Sequence, residues 1–203
     1  MTIGKRAADI FFVLLFLLPL APVILLVSLA ILIIDGRPVV FVSERMKTPE
    51  QAFGLLKFRT MRPDAADRGV SGGDKSKRIT KTGQFLRKYR LDELPQLWNI
   101  FRGDISFVGP RPPLRRYVEL FPELYAEVLT SRPGVTGLAT LVFHRTEEKL
   151  LAPCQTAEET EEVYCRRCVP RKASLDMIYA RNRNLCTDIK LMCATVVRRI
   201  SLH

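Results

Sequence analysis

Leu91-Asp92-Glu93-Leu94-Pro95-Gln96-Leu97-Trp98-Asn99-Ile100-Phe101-Arg102-Gly103-Asp104 is the stretch from which the rest of the chain can be read. Leu94, Leu97, Trp98 and Phe101 recur at i, i+3, i+4 and i+7, which predicts a short amphipathic helix with one buried stripe. Pro95 fits its first turn and Gly103 its end. Asp92 is then expected at the N-cap and Glu93 at the first helical position, where free N–H groups and the helix dipole favour negative charge. Two carboxylates so placed are expected to stay ionised at neutral pH. Such a pair can supply a nucleophile and a ligand for a hard divalent cation. The plain alternative is a capping aspartate beside a surface glutamate, and the surrounding cations weigh against it.

Upstream, Gly83 to Tyr89 is helical in pattern and delivers Arg87 and Arg90 just ahead of the acidic pair. Before that come two strand-like runs, Pro38 to Ser43 and Phe53 to Met61, separated by the turn-prone Lys47-Thr48-Pro49-Glu50, which predicts a β-hairpin. Lys57 and Arg59 are two apart in the second run and share a face if it is a strand. Two cations on one face repel unless an anion or solvent lies opposite. The intervening segment, Arg62 to Thr82 with Gly69, Gly72 and Gly73, shows neither period and is expected to be a loop.

Downstream, Pro110, Pro112 and Pro113 flank Arg111. They fix the backbone and present one guanidinium rigidly, which suits phosphate recognition. Ser131-Arg132-Pro133-Gly134-Val135-Thr136-Gly137 is a second turn with a cation in it, and Leu138 to Phe143 reads as a strand. Thr156-Ala157-Glu158-Glu159 is a capping box opening an acidic helix that should lie on a basic surface. Asp176 is a carboxylate within a helical pattern. Cys165 and Cys168 form a lone C-x-x-C, a weak signal for metal or redox chemistry. Ile189, Met192, Cys193, Val196, Val197 and Ile200 make an apolar stripe with Lys190, Arg198 and Arg199 off it, suited to a membrane surface or to covering the core.

Over 203 residues, 32 lysines and arginines stand against 21 acids, a net charge of +11 that points to phosphate-bearing partners. Five cysteines without a repeating framework read as reduced thiols. The 25 residues 10–34 carry no charge, enough to cross a bilayer and too long for a secretory signal. Pro19 and Pro22 lie in the middle and are expected to break the helix. Lys5 and Arg6 precede it, and Arg37, Arg45 and Lys47 follow. Cations at both ends favour a re-entrant helix with both ends cytoplasmic, whereas hydropathy alone favours a span.

Taken together, Lys57-Phe58-Arg59-Thr60-Met61, Leu91 to Leu97, Gly103 to Pro112, Arg132 to Gly137, the proline-interrupted N-terminus and Leu175-Asp176 with Tyr179 resemble the bacterial sugar transferases, specifically the small monotopic phosphoglycosyl transferases. The resemblance implies an α+β, predominantly helical fold. Residues 1–36 would form a proline-broken re-entrant membrane helix. Residues 37–203 would form a compact catalytic domain with a small β-hairpin and amphipathic interfacial helices, on the cytoplasmic face of the bacterial inner membrane.

It also implies transfer of a sugar-1-phosphate from a UDP-sugar to a polyprenyl (undecaprenyl) phosphate through a covalent aspartyl phosphosugar, with release of UMP. Asp92 corresponds to the nucleophile and Glu93 to its Mg²⁺ ligand, Asp92 being the second carboxylate at the metal. Arg87 and Arg111 correspond to phosphate-binding arginines, and Lys57, Arg59 and Asp176 to further substrate-binding positions. The partners implied are the sugar nucleotide, the lipid phosphate and membrane lipid, with homo-oligomerisation left open and no nucleic acid. Three features depart from the family pattern: Pro19, Leu138-Ala139-Thr140 where Trp-Ala-Gln is common after Gly137, and a longer segment after it, which bears on sugar choice. The competing reading, from charge alone, is a membrane-tethered basic module binding anionic lipid or nucleic acid. The cations, however, are dispersed among prolines and carboxylates rather than interleaved with aromatics.

Overall fold

The uncharged run folds into one helix, α1 (Ile3–Ile34), capped by the Thr2 hydroxyl, which accepts from the Lys5 N–H at 3.3 Å. The structure, a computed structural model, describes residues 2–62 and 78–200, with only the backbone at 198–200. Most of the expected glycine-bearing loop, with Gly69, Gly72 and Gly73, and the side chains of Arg198, Arg199 and Ile200 lie outside the described residues.

Pro19 and Pro22 sit inside one helical run, so the helix does not end at them. Each proline removes one N–H and deprives the carbonyl a turn earlier of its partner, but the flanking hydrogen bonds suffice to carry the helix across. Thirty-two residues at about 1.5 Å each give roughly 48 Å, longer than a ~30 Å hydrocarbon core. Leu18, just before Pro19, is 83% exposed, and of the described helix only Asp9, Val13 and Ile31 are buried.

Both ends of α1 are tied to the same body. Arg6 donates to the carbonyls of Ile100 and Phe101, at 2.6 Å each. Lys5 donates to the Val108 carbonyl, the Tyr179 hydroxyl and Asp188, while Asp9 accepts from the Ser106 hydroxyl at 2.9 Å. Val13 packs with Leu55, Ile100 and Ile105. Eighteen residues on, Ile31 packs with Phe58 and Leu86. Lys5 and Arg6 are therefore structural anchors as well as flanking charges.

The predicted hairpin is present as β1 (Val40–Met46) and β2 (Ala52–Phe58), paired antiparallel with Val40 opposite Phe58 and Met46 opposite Ala52. Next come α2 (Lys81–Tyr89), capped by Thr80, a 3₁₀ turn over Leu91–Glu93, and α3 (Gln96–Arg102). β3 (Ser106–Val108) precedes α4 (Arg115–Leu120) and α5 (Pro122–Val128) and pairs in parallel with β4 (Gly134–Thr136). The C-terminal half is α6 (Leu138–Leu151), α7 (Ala157–Val163), a π-helical stretch Tyr164–Cys168, α8 (Val169–Asn182) and α9 (Leu185–Ile200). A third core cluster joins Met46, Tyr117, Val118, Val128, Leu129 and Val169.

Three local expectations are corrected. Leu138 to Phe143 opens α6 rather than forming a strand, because a short apolar run does not distinguish the two by period. The helix after the acidic pair starts at Gln96, with Pro95 in the cap position, so Asp92 and Glu93 lie in the preceding 3₁₀ turn. Its buried face is Gln96, Asn99 and Ile100, while Trp98 and Phe101 are 55% and 43% exposed. The polar Asn99 is buried because it is fully used: Oδ1 accepts from the Leu56 N–H at 2.9 Å and Nδ2 donates to the Gly54 carbonyl at 2.8 Å. The capping box holds, with Thr156 Oγ1 accepting from the Glu159 N–H at 3.1 Å, and the acidic helix meets a cation where Arg116 pairs with Glu161 at 3.1 Å.

Candidate active site

Arg90 is the hinge of the site. It ends α2 with φ +57°, a left-handed conformation that costs a side-chain-bearing residue about 1–2 kcal/mol. The reversal turns the chain so that Arg87, on the last turn of α2, and Asp92, in the 3₁₀ turn, look at one another. Arg90 itself donates to Glu93 Oε1 at 3.2 Å. From β2, Lys57 Nζ lies 3.6 Å from the same oxygen. Arg87 Nε donates to Thr60 Oγ1 at 2.9 Å, which fixes the guanidinium against the end of the hairpin.

Asp92 is 8% exposed, and its Oδ1 has no hydrogen-bond partner among the described residues. No helix tip holds its carboxylate down: its pKa is raised. Burial is the main cause and the neighbouring Glu93 charge adds to it, against the opposing pull of Lys57, Arg90 and Arg87. Burial also lowers Lys57, to about 8, with Arg111 acting in the same direction and the two carboxylates opposing.

Arg111 is presented as expected. Gly109 and Gly134 let two chain segments touch: a Cβ on Gly109 would meet the Arg132 carbonyl, and one on Gly134 the Gly109 nitrogen. Backbone bonds from Gly109 N to Thr136 O (2.9 Å) and from Gly134 N to Pro110 O (2.8 Å) seal the contact. The two separate motifs, Gly103 to Pro112 and Arg132 to Gly137, thus brace each other, with Pro110 and Pro112 buried and Arg111 exposed between them.

Beyond Arg111 a cleft is lined by Arg45, Lys172 and Asp176 together with Tyr117, Tyr125 and Tyr164. Asp176 is 6% exposed, and its Oδ1 is likewise unpartnered among the described residues. Burial pushes its pKa up to about 7, with Lys172 pulling the other way. Lys172 is held by Glu147, at 3.0 and 3.1 Å, and by the Tyr164 hydroxyl at 3.3 Å.

Of the residues singled out in the sequence, Asp92, Glu93, Lys57 and Arg87 come together in one group, and Arg111 acts electrostatically on Lys57. Asp176 lies in the adjoining cleft. Arg59 is directed elsewhere: it donates to the carbonyls of Asp35, Gly36 and Arg37 and so closes the C-terminal end of α1, where a cation is favoured. Arg45, Lys172 and Tyr164 were not legible, since nothing in their spacing links them to the acidic pair. Arg90 carried a signal in its i, i+3 relation to Glu93.

The Cys165 and Cys168 thiols are free. Burial pushes Cys168 up to about 11, which leaves it protonated and a poor ligand. Asp92 and Glu93 do fit Mg²⁺: they offer hard oxygens, and Asp92 Oδ1 is buried with no protein donor assigned to it among the described residues. Among those residues no group of three or more metal-ligating side chains occurs, but Mg²⁺ commonly uses one or two carboxylates together with substrate phosphates.

A sequence profile of the family described as "Bacterial sugar transferase" matches residues 1–201. The chain is 36% identical over 206 residues to the "Undecaprenyl-phosphate glucose phosphotransferase" of Komagataeibacter xylinus, covering 97% of this chain and 36% of that protein. It is 39% identical over 211 residues to the "Exopolysaccharide production protein ExoY" of Sinorhizobium fredii, covering 96% and 84%. To the "UDP-glucose:undecaprenyl-phosphate glucose-1-phosphate transferase" of Escherichia coli it is 32% identical over 198 residues, covering 96% and 39%. The chain therefore spans little more than a third of the first and third of these relatives and most of the second.

Proposed function

The chain belongs to the bacterial sugar transferases, and from that premise we propose that it transfers a sugar-1-phosphate from a UDP-sugar to undecaprenyl phosphate at a membrane surface. The observation that carries the reading is the buried carboxylate of Asp92, flanked by Lys57, Arg87 and Arg90 and with a free oxygen. One Asp92 oxygen attacks the β-phosphorus of the donor. The bond from that phosphorus to the bridging oxygen breaks, and UMP leaves with the electron pair. An oxygen of the lipid phosphate then attacks the same phosphorus, and the acyl phosphate bond breaks to restore the carboxylate. Anion meets anion in both steps, so the cations supply the charge stabilisation. Glu93 stands beside Asp92 to complete a Mg²⁺ site, and the ion, when bound, further neutralises the diphosphate.

The membrane part of the proposal is a re-entrant α1. Both of its ends bind one charged body, while Leu18 at mid-helix is bare. The exposed Trp98–Phe101 stack, with ring centroids 5.7 Å apart, and the exposed Ile189, Val196 and Val197 on α9 suit contact with the same bilayer face. Single cysteines at Thr2 and Arg37, in a background without the native cysteines, should both react with an impermeant maleimide from the cytoplasmic side only. Reaction from opposite sides would establish a span.

The test of the activity is UMP release across a panel of UDP-sugars with undecaprenyl phosphate in detergent. UDP-glucose heads the panel, because two relatives are named for glucose. Acceptor-dependent turnover of at least one donor is expected; none across the panel would refute the reading.

A further inference from the structure

The cleft beyond Arg111 has no part in the chemistry above, yet its charges act on the same group. Lys57 feels Asp92 and Glu93 and also Arg111 and Arg45, two cations that line the cleft. Lys172 in turn feels Arg111 and is the cation acting on Asp176. Lys57 and Arg111 therefore connect the Asp92 group to the cleft that holds Lys172 and Asp176. Displacement at phosphorus runs roughly in line, with the leaving oxygen opposite the entering one. A group that leaves when Asp92 attacks needs cations of its own, and Arg45, Arg111 and Lys172 line this cleft.

On the reading that Asp92 is the nucleophile, we propose that the cleft between α4, α5 and α8 seats the departing UMP half of the donor. Arg111 and Lys172 take its phosphate, the tyrosine rings flank the uracil, and Asp176 Oδ1 accepts from an O–H or N–H of the uridine. A buried acceptor aimed into a polar cleft with no donor assigned to it is what a ligand donor would satisfy. Glu147 of α6 holds the Lys172 ammonium group and Tyr164 supports it, which lifts its pKa despite burial. Glu147 is thus a positioning residue, acting through Lys172.

The test is binding of UMP itself to the full-length protein in detergent, by calorimetry and by hydrogen–deuterium exchange on the unaltered chain. UMP should protect peptides covering 111–128 and 164–179. Asp176→Asn should weaken UMP about tenfold, the size expected for one hydrogen bond to a charged group, with KM for the donor rising in parallel. Glu147→Gln should weaken UMP less, and Lys172→Arg should retain part of the affinity. Unchanged UMP affinity in Asp176→Asn, with an altered ranking of UDP-sugars by kcat/KM, would place the sugar in the cleft and overturn the proposal. Protection absent from both peptides would overturn it too, and that arm needs no variant to fold. The two readings fail separately. UMP protection without turnover of any donor would keep the nucleotide seat and remove the transferase, whereas turnover without protection would do the reverse.

Discussion

Asp92 and Asp176 are buried to almost the same degree, each keeps one oxygen unpartnered among the described residues, and burial raises the pKa of both. Their surroundings differ. Asp92 sits beside a second carboxylate and within reach of Lys57, Arg90 and Arg87, whereas for Asp176 the opposing cation is Lys172. Equal desolvation therefore gives two different groups: one steered by cations towards the anion a nucleophile must be, and one left to ionise near neutrality. Environment, more than residue type, divides the labour between them.

The largest expected effect breaks the symmetry directly. Asp92→Asn should lower UMP release by roughly 10⁴-fold or more, the scale of removing a group that reacts covalently. Asp176→Asn should cost about tenfold in kcat/KM, the scale of one binding contact. Comparable losses in a steady-state assay would erase the distinction.

A second test sharpens it through pH. Lys57 must be protonated to neutralise phosphate, and its pKa is lowered to about 8, so kcat/KM should fall as pH rises through that value. Asp92 must be ionised, and its raised pKa places the acid limb above the ordinary aspartate range. Lys57→Arg should move the alkaline limb upward and leave the acid limb in place. An alkaline limb that stays put would remove Lys57 from the reacting group.

The smallest effect is on stability. Asp176 ionises near pH 7 when folded and near 4 when unfolded, so between those values the folded state holds a proton that the unfolded state has lost. Its contribution is present below about pH 4 and declines as pH rises through 7. Asp176→Asn should therefore raise Tm by about 5 °C at pH 8 and by little at pH 4. A pH-independent difference would show that desolvation does not govern this carboxylate.

The two poles also differ in how far the sequence revealed them. The Asp92 pole is built largely from neighbours in the chain, so Arg87 to Gly103 already held the acidic pair, its arginines and the stop at Gly103. What it hid was geometric. The periodic stripe named Trp98 and Phe101 as core, but Asn99, with backbone groups of β2 to satisfy, took the inner face instead. The Asp176 pole joins Arg45, Arg111, Tyr164 and Lys172 across more than a hundred residues, and no local period records such a convergence. Likewise Arg59, a cation in the right motif, closes a helix end rather than joining the reacting group.

Mass spectrometry of the intact protein after incubation with a turned-over UDP-sugar and Mg²⁺, without lipid acceptor, reaches the central claim most directly. The account predicts a mass increase of one phosphosugar, located by digestion to the peptide containing Asp92, lost on adding undecaprenyl phosphate and absent from Asp92→Asn. UMP formed only when donor and acceptor are both present, with no adduct at any stage, would mean direct transfer between substrates and contradict it.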